Sequence, residues 1–188
     1  MNDATVSIEL GRDFPEIRDA VARICEGFPG AYWRRMEDER AYPDGFVQAL
    51  TSDGYLAALI PPEYGGAGLP LRAAAVILET IHASGCSAGA CHAQMYVMGT
   101  LLRHGSAEQK QRYLPRIASG ELRLQAFGVT EPSTGSDTTQ IKTRAVRDGD
   151  RYVINGQKLW TSRAAQSDLM LLLARTTPAE SVARRGDG

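Results

Sequence analysis

A turn rich in hydroxyl groups, from Thr130 to Asp137, is the stretch of this sequence best suited to chemistry. It reads Thr-Glu-Pro-Ser-Thr-Gly-Ser-Asp and follows an apolar run at residues 122–129. Pro132 stops strand pairing and Gly135 permits positive φ, so the backbone must turn sharply there. Such a turn presents N–H and O–H donors to an anionic or carbonyl-rich ligand. Alternatively, the hydroxyl groups satisfy only their own backbone, as in many polar loops.

The composition of the chain restricts the classes of function. A net charge of −1 over 188 residues argues against a nucleic-acid partner. Cys25, Cys86 and Cys91 form an odd set without a CxxC pair, which favours a reducing compartment over a disulfide framework or a zinc site. The N-terminus is neither basic nor followed by an apolar segment. We therefore expect a cytoplasmic protein.

The first two thirds of the chain have helical periodicity. Apolar residues on one face predict helices at 13–28, 43–53, 71–82, 87–103 and 106–117. Asp13 with Glu16, and Ser106 with Gln109, have the spacing of capping boxes. The most apolar helix, 87–103, carries polar residues and glycines, which favours a buried central helix over a membrane span.

After Gly120 the apolar period changes from that of a helix to that of a strand. Strands are predicted at 122–129, 141–146, 152–154, 157–160 and 169–174, with two-residue hairpin turns at Asp148-Gly149 and Asn155-Gly156. The order of elements predicts an α+β fold, in which an all-helical domain at 1–121 precedes an antiparallel β domain at 122–188.

The turn at Thr130–Asp137 resembles the flavin-binding signature of the acyl-CoA dehydrogenase family. The Pro-Pro-Glu-Tyr-Gly-Gly-Ala-Gly loop at 61–68 and the Gly-Ser-Ala-Glu-Gln-Lys segment beginning at Gly105 are similar to two further motifs of that family. The resemblance covers the chain from about Asp44 onward. It implies that the β domain is truncated at Gly188 and that the family's C-terminal helical domain is absent from this fragment.

The resemblance also implies a cofactor, FAD, and residues that contact it. Thr130 would bond the pyrimidine edge of the flavin, Trp160 would pack on the isoalloxazine ring, and Ser162 would bond near N5. Ser136 matches a position that contacts the flavin diphosphate or the thioester substrate. The full set of implied cofactor-binding residues is Phe127, Gly128, Val129, Thr130, Ser136, Trp160, Thr161 and Ser162. A Trp at a strand end can instead be a core or interface residue.

The implied substrate is an acyl-CoA thioester. The family lines its acyl pocket from the helix predicted at 87–103, so Gln94, Met95 and Met98 are candidate substrate contacts together with Ser136; core packing is the alternative. The implied catalytic base is a Glu beyond Gly188, and Glu131 has a structural role. Asp137 is interpreted as a cap or an ion-pair partner.

The expected function of the complete protein is α,β-dehydrogenation of an acyl-CoA, as in fatty acid metabolism. Electrons would pass to an electron-transfer flavoprotein or a similar acceptor, and the complete protein would be a homo-oligomer, a dimer or tetramer. Two alternatives stay open: a flavin-dependent oxidase or monooxygenase on the same fold, and a catalytically silent fragment that acts as an interaction module. The isolated chain is expected to be inactive.

Overall fold

A computed structural model of the protein describes residue 11 and residues 13–188. Its regular elements are six α-helices followed by four short strands. The helices are α1 (Pro15–Glu26), α2 (Gly30–Asp38), α3 (Asp44–Ser52), α4 (Leu71–Ala83), α5 (Gly89–His104) and α6 (Ala107–Ala118). The strands are β1 (Ala126–Gly128), β2 (Arg144–Asp148), β3 (Arg151–Asn155) and β4 (Met170–Leu172). The predicted α+β order is confirmed, while the division into domains at residue 121 stays a prediction.

Helix α5 lies at the centre of the helical part because it borders both hydrophobic clusters. Met95 belongs to a cluster built with α1, α3 and α4, and Met98 belongs to a second cluster that reaches α6 and the start of the β region. Small side chains on α5, such as Ala90 and Ala93, are buried and allow neighbouring backbones to approach closely. A helix used on two sides needs little polar surface, which explains its apolar sequence.

The start of α1 differs from the prediction. Phe14, with a left-handed backbone, occupies the N-cap position, and no side chain caps the helix. Asp13, predicted as the cap, instead accepts a hydrogen bond at its carbonyl oxygen from Arg18 and pairs through its carboxylate with Arg72. The capping box at α6 is confirmed, since Gln109 N–H donates to Ser106 Oγ at 3.1 Å and Ser106 N–H donates to Gln109 Oε1 at 2.9 Å.

Helix α2 was absent from the sequence prediction, which placed no helix between residues 28 and 43. Pro29 is the N-cap of α2, where a residue without N–H is tolerated. No residue of α2 is fully buried. Trp33 nevertheless packs edge-on against Phe46, with 5.0 Å between ring centroids, and donates its indole N–H to Phe28 O.

Strands β2 and β3 form an antiparallel hairpin, as the sequence predicts, but its turn lies one residue later than the predicted Asp148-Gly149. Asp148 pairs with Arg151, which leaves Gly149 and Asp150 as a two-residue turn, and Gly149 has the positive φ of 61° that such turns need. All five residues of β3 are exposed. The hairpin therefore contributes pairing rather than core.

The second strand pair differs from the prediction of antiparallel strands. β1 and β4 pair in parallel, with Ala126 opposite Met170 and Gly128 opposite Leu172. The predicted strands at 122–129 and 169–174 are each reduced to three residues, those of β1 and β4. The predicted strand at 157–160 is wrong, and so is the predicted hairpin turn at Asn155-Gly156. The segment 157–160 is irregular, because it is held by single hydrogen bonds and a Lys side chain instead of a ladder.

The glycine-rich loop after Pro62 contains Gly66, a position at which a side chain should lower the stability of the protein. A Cβ at Gly66 would lie 2.1 Å from Ile60 O and 2.6 Å from Ala57 O, both backbone atoms that cannot easily move. We expect Gly66→Ala to lower the free energy of unfolding by about 3 kcal/mol, the upper part of the range for overpacking.

Gly99 is the matched control, since it lies inside α5 with no atom within 4 Å of an added Cβ. Gly99→Ala should be neutral or stabilise by up to about 1 kcal/mol. Urea denaturation of the two variants measures both effects. An unchanged midpoint for Gly66→Ala would show that this loop is not packed as described.

Candidate functional site

The hydroxyl-rich turn is closed by its own backbone. Glu131 N–H donates to Thr134 O at 2.8 Å, and Thr134 N–H donates to Glu131 O at 3.1 Å. Pro132 and Ser133 occupy the two central positions and are exposed. A second hydrogen bond, from Thr134 Oγ1 to Asp137 O at 2.5 Å, folds the next residues back onto the turn. Turn formation thus fixes the backbone between the strand β1 and residue 137.

Glu131 points inward, and only 4% of the residue is exposed. It accepts hydrogen bonds from Lys142 N–H at 2.6 Å, from Thr143 N–H at 2.9 Å and from Lys158 Nζ at 2.9 Å. Burial alone raises the pKa of a carboxyl, but the Thr143 side chain, the two N–H groups and the Lys158 ammonium outweigh it. The pKa of Glu131 is lowered to about 2. Glu131 is therefore a structural anion, as the sequence analysis expected, and a poor proton acceptor.

Lys158 connects the two candidate segments. Its Nζ donates to Val129 O at 2.9 Å as well as to Glu131, and its side chain is 8% exposed. One residue on, Leu159 N–H donates to Thr130 O at 2.8 Å. The predicted segments 127–130 and 158–162 are therefore neighbours in space. Sequence analysis did not assign this role to Lys158.

Trp160 stands out from the surface beside Thr130. It is 86% exposed, and its φ of 59° lies in the left-handed region, which is rare for a bulky residue. An aromatic side chain held outward by a strained backbone is a feature that clusters at functional sites. Thr161 is half-buried and Ser162 is exposed.

Several hydrogen-bond donors near Trp160 have no partner among the described residues. Within the described part of the chain, no acceptor receives a hydrogen bond from the N–H groups of Val129 or Thr130. The hydroxyl group of Ser136 lies on an exposed bend, and a Cβ at the preceding Gly135 would be 3.7 Å from the Thr130 methyl group. An exposed indole beside free N–H and O–H donors suits a planar aromatic ligand with polar edges.

Phe127 and Gly128 link this surface to the helical part. Phe127 is half-buried and contacts Tyr96 of α5 edge-on, with 5.8 Å between ring centroids. Gly128 has Leu172 Cδ1 only 3.2 Å from the position of an added Cβ. His92, one turn before Tyr96, continues the aromatic row at 5.0 Å. The face of α5 next to this surface is therefore formed by His92 and Tyr96, and sequence analysis did not consider Tyr96.

Gln94, Met95 and Met98, the predicted substrate contacts on α5, are instead buried. Gln94 Oε1 accepts a hydrogen bond at 3.2 Å from Gln125, whose own Oε1 accepts one from Tyr42 at 2.7 Å. The two methionines fill the hydrophobic clusters on either side of the helix. In this structure the three side chains face the core, so their contact with a substrate stays a prediction.

Asp137 has the capping role that the sequence analysis gave it. Its Oδ1 accepts hydrogen bonds from the hydroxyl and the N–H of Thr139, and its Oδ2 accepts one from Gln140 at 2.6 Å. These hydrogen bonds, first that of the Thr139 side chain and then that of Gln140, lower the pKa of Asp137. Both carboxylates of the turn are thus used as hydrogen-bond acceptors. Among the described residues, no three His, Cys, Asp or Glu side chains are grouped to hold a metal ion.

Two sequence profiles match this chain. The profile of the acyl-CoA dehydrogenase N-terminal domain matches residues 13–121, and that of the acyl-CoA dehydrogenase middle domain matches residues 126–187. The chain belongs to the acyl-CoA dehydrogenase family. Both the fold and the order of the motifs agree with that membership.

The relatives of this chain within the family are longer proteins. It is 36% identical to (2S)-methylsuccinyl-CoA dehydrogenase of Cereibacter sphaeroides, over 89% of this chain and 31% of the relative. The crystal structure of an acyl-CoA dehydrogenase from Geobacillus kaustophilus is similar with a TM-score of 0.80 and 30% identity, over 90% of this chain and 44% of the other. The crystal structure of the prolyl acyl carrier protein oxidase AnaB is similar with a TM-score of 0.80 and 26% identity, over 92% of this chain and 46% of the other. The chain thus spans less than half the length of these proteins.

The buried pair of Glu131 and Lys158 generates a prediction about stability and pH. Between pH 2 and about 4.5 the unfolded chain binds the Glu131 proton and the folded chain does not, so the contribution of Glu131 is complete above pH 4.5 and is lost as pH falls toward 2. Glu131→Gln should destabilise the protein by about 3 kcal/mol at pH 7, because it leaves Lys158 buried without its anion. The difference from wild type should shrink in that pH window.

Glu121 is the matched control because its ion pair with Arg116 is exposed, with 61% of its side chain accessible. Glu121→Gln should change the free energy of unfolding by less than about 0.5 kcal/mol. Denaturant unfolding at a series of pH values gives both quantities. A difference for Glu131→Gln that stays constant from pH 7 to pH 2 would contradict the low pKa.

Proposed function

We propose that this chain is the flavin-binding portion of an FAD-dependent acyl-CoA dehydrogenase. The complete protein would carry out α,β-dehydrogenation of an acyl-CoA thioester. The observation that carries the proposal is the contact between residues 127–130 and residues 158–162. There the exposed Trp160 lies beside N–H groups that have no acceptor among the described residues. Family membership supports the same activity. FAD, when bound, would supply the acceptor for the hydride.

The residues present fit a flavin. Trp160 offers an exposed aromatic face, and Val129 and Thr130 offer N–H groups without acceptors in the described structure. The hydroxyl groups of Thr130, Thr161 and Ser162 would bond polar edges of the ring. Phe127 and Gly128 would form the wall behind it, and Ser136 would bond the diphosphate or the substrate. Each such hydrogen bond would contribute on the order of 1 kcal/mol.

Neither carboxylate of the turn is suited to accept the proton that the acyl-CoA loses from its α carbon. Glu131 accepts a hydrogen bond from Lys158, and its pKa is about 2. Asp137 accepts hydrogen bonds from Thr139 and Gln140. A general base needs a pKa nearer the working pH and a free oxygen atom. We propose that the base belongs to a part of the protein outside these 188 residues.

The acyl chain would lie along α5. Tyr96 is 40% exposed and contacts Phe127, so this face adjoins the proposed flavin surface. Gln94, Met95 and Met98 would influence chain length from below this face, through the packing of the helix. The acyl group itself is not identified by these contacts.

The electron acceptor would be an electron-transfer flavoprotein or a similar protein. We also propose a homo-oligomer, a dimer or tetramer, for the complete protein, and a cytoplasmic location. None of the described helices has the length and apolar character needed to cross a membrane.

An oxidase is the second candidate function. The observation that favours it is the similarity to the prolyl acyl carrier protein oxidase AnaB, which matches as well in fold as the dehydrogenase from Geobacillus kaustophilus does. The two reactions differ in whether the reduced cofactor passes its electrons to O₂ or to a protein.

The test of the function uses a protein that contains this chain and the remaining length of its relatives. Acyl-CoA thioesters are added without oxygen and the absorption of oxidised flavin is followed. The proposal expects the absorption to disappear with a matching thioester and to return when a dye acceptor is added. Return on admitting O₂ alone, with peroxide formed, would favour the oxidase, and no change with any thioester would contradict both.

Trp160→Ala tests the cofactor surface in the 188-residue chain. Loss of the indole face should weaken FAD binding at least fivefold, measured by quenching of flavin fluorescence, because base-sized aromatic stacking is worth about 1–3 kcal/mol. The fold should be unchanged, since Trp160 is 86% exposed.

Tyr152→Ala is the matched control, because Tyr152 is a 56% exposed aromatic residue on the β hairpin. It should leave FAD binding unchanged. Trp33→Ala is unsuitable, since Trp33 packs in the helical part. Equal affinities for the Trp160 and Tyr152 variants would remove Trp160 from the flavin surface.

A further inference from the structure

Arg163 directly follows Ser162, the last residue of the candidate cofactor segment. Its φ of 58° lies in the left-handed region, as that of Trp160 does, and the residue is half-buried. Strained residues of this kind cluster at functional sites. The Arg163 side chain reaches the start of α5, where its Nη2 lies 2.9 Å from the position that a Cβ would take at Gly89. A glycine at that position therefore leaves room for the guanidinium.

The Arg163 guanidinium has neither a hydrogen-bond acceptor nor an ion-pair partner among the described residues. No acidic residue occurs in the first turn of α5. Cys91 is close but stays neutral, because burial raises the pKa of its thiol to about 12 and the charge of Arg163 only partly opposes that rise. A half-buried guanidinium in such surroundings is stabilised by an anion that accepts its N–H groups.

One face of α5 connects Arg163 with the proposed flavin surface. Gly89, His92 and Tyr96 follow one another at spacings of three and four residues, so they share this face. At one end of it Tyr96 contacts Phe127, and at the other end Arg163 lies against Gly89. The β region therefore touches the face at two points, about 10 Å apart along the helix axis. A molecule that lies between these points meets aromatic rings at one end and a cation at the other.

The two ends of this face suit different chemical groups. The rings of Tyr96 and Phe127 offer apolar area on which methylene groups can lie. The Arg163 guanidinium offers N–H donors in a planar fork, which match the two oxygens of a carboxylate. A plain alkyl chain would also cover the rings. Its methyl end, however, would remove water from Arg163 without replacing the hydrogen bonds of that water, which is unfavourable.

We propose that Arg163 binds a carboxylate at the far end of the acyl chain, so that the substrates are CoA thioesters of dicarboxylic acids. This inference rests on the proposed function, which places the acyl chain along α5. The thioester lies near Phe127, and the methylene groups lie over Tyr96 and His92. The distal carboxylate accepts hydrogen bonds from the Arg163 guanidinium. Arg163 thus determines specificity and takes no part in the transfer of the proton or the hydride.

The test uses the same longer protein as the test of function and measures binding separately from flavin reduction. Glutaryl-, adipyl- and suberyl-CoA are compared with alkyl thioesters of the same number of carbon atoms, pentanoyl-, hexanoyl- and octanoyl-CoA. Calorimetric titration of the protein with its flavin already reduced by dithionite gives each Kd without turnover. At least one dicarboxylic thioester should bind about tenfold more tightly than its alkyl counterpart, because a charge-assisted hydrogen bond replaces water at Arg163.

Variants assign the preference to Arg163. Arg163→Gln removes the charge and should reduce the ratio of the two Kd values to less than about twofold, while the Kd of the alkyl thioesters changes little. Gly89→Ala should lower the ratio too, because its Cβ displaces Nη2 of Arg163. Arg103→Gln is the matched control, since it removes an exposed charge in the last turn of α5. It should leave the ratio unchanged. Absorption gives the flavin content of every variant.

The outcomes separate this inference from the proposed function. A preference for dicarboxylic thioesters that depends on Arg163 upholds the inference, even if no thioester reduces the flavin, a result that would contradict the proposed function alone. Flavin reduction by alkyl thioesters without any preference for a carboxylate would overturn the inference alone. Loss of flavin from Arg163→Gln would also overturn it, since the guanidinium would then belong to the cofactor site. Failure of every thioester to bind would contradict both.

Discussion

The buried ion pair of Glu131 and Lys158 is the interaction on which the candidate site depends. Lys158 holds the end of β1 through Val129 O, and Glu131 holds the start of β2 through the N–H groups of Lys142 and Thr143. Three stretches that are distant in sequence therefore meet at one carboxylate. Removing either partner leaves a buried charge, so the turn, the strand end and the Trp160 segment depend on each other.

The pair also explains why the site can be polar and open without losing order. Its hydrogen bonds, with that from Leu159 N–H to Thr130 O, hold the segment that leads to Trp160, whose backbone is left-handed at the surface. Among the described residues the N–H groups of Val129 and Thr130 have no acceptor. Strain of this kind persists only where the surroundings determine the backbone. Ordering the donors before a ligand arrives reduces the entropy lost on binding.

Sequence alone predicted the features that rest on local chemistry. Five helices, the capping box at Ser106 and the hairpin at Gly149 follow from periodicity and turn residues, and the signature at Thr130–Asp137 identified the family. Features that rest on long-range contacts were missed. The parallel pairing of β1 with β4 and the inward direction of Met98 depend on which elements meet. Helix α2 begins at Gly30, directly after Pro29, and such a pair of residues usually marks a turn.

The central claim is that Trp160 and the end of β1 form one flavin-binding surface. It is tested most directly by titrating the ¹⁵N-labelled 188-residue chain with FAD and observing both indole N–H signals. The account predicts that the Trp160 indole and the amides of Val129 and Thr130 shift together and with saturation, even if the affinity is weak. The Trp33 indole, bonded to Phe28 O, should stay unchanged. Saturable shifts that spare Trp160 and Thr130 would contradict the account.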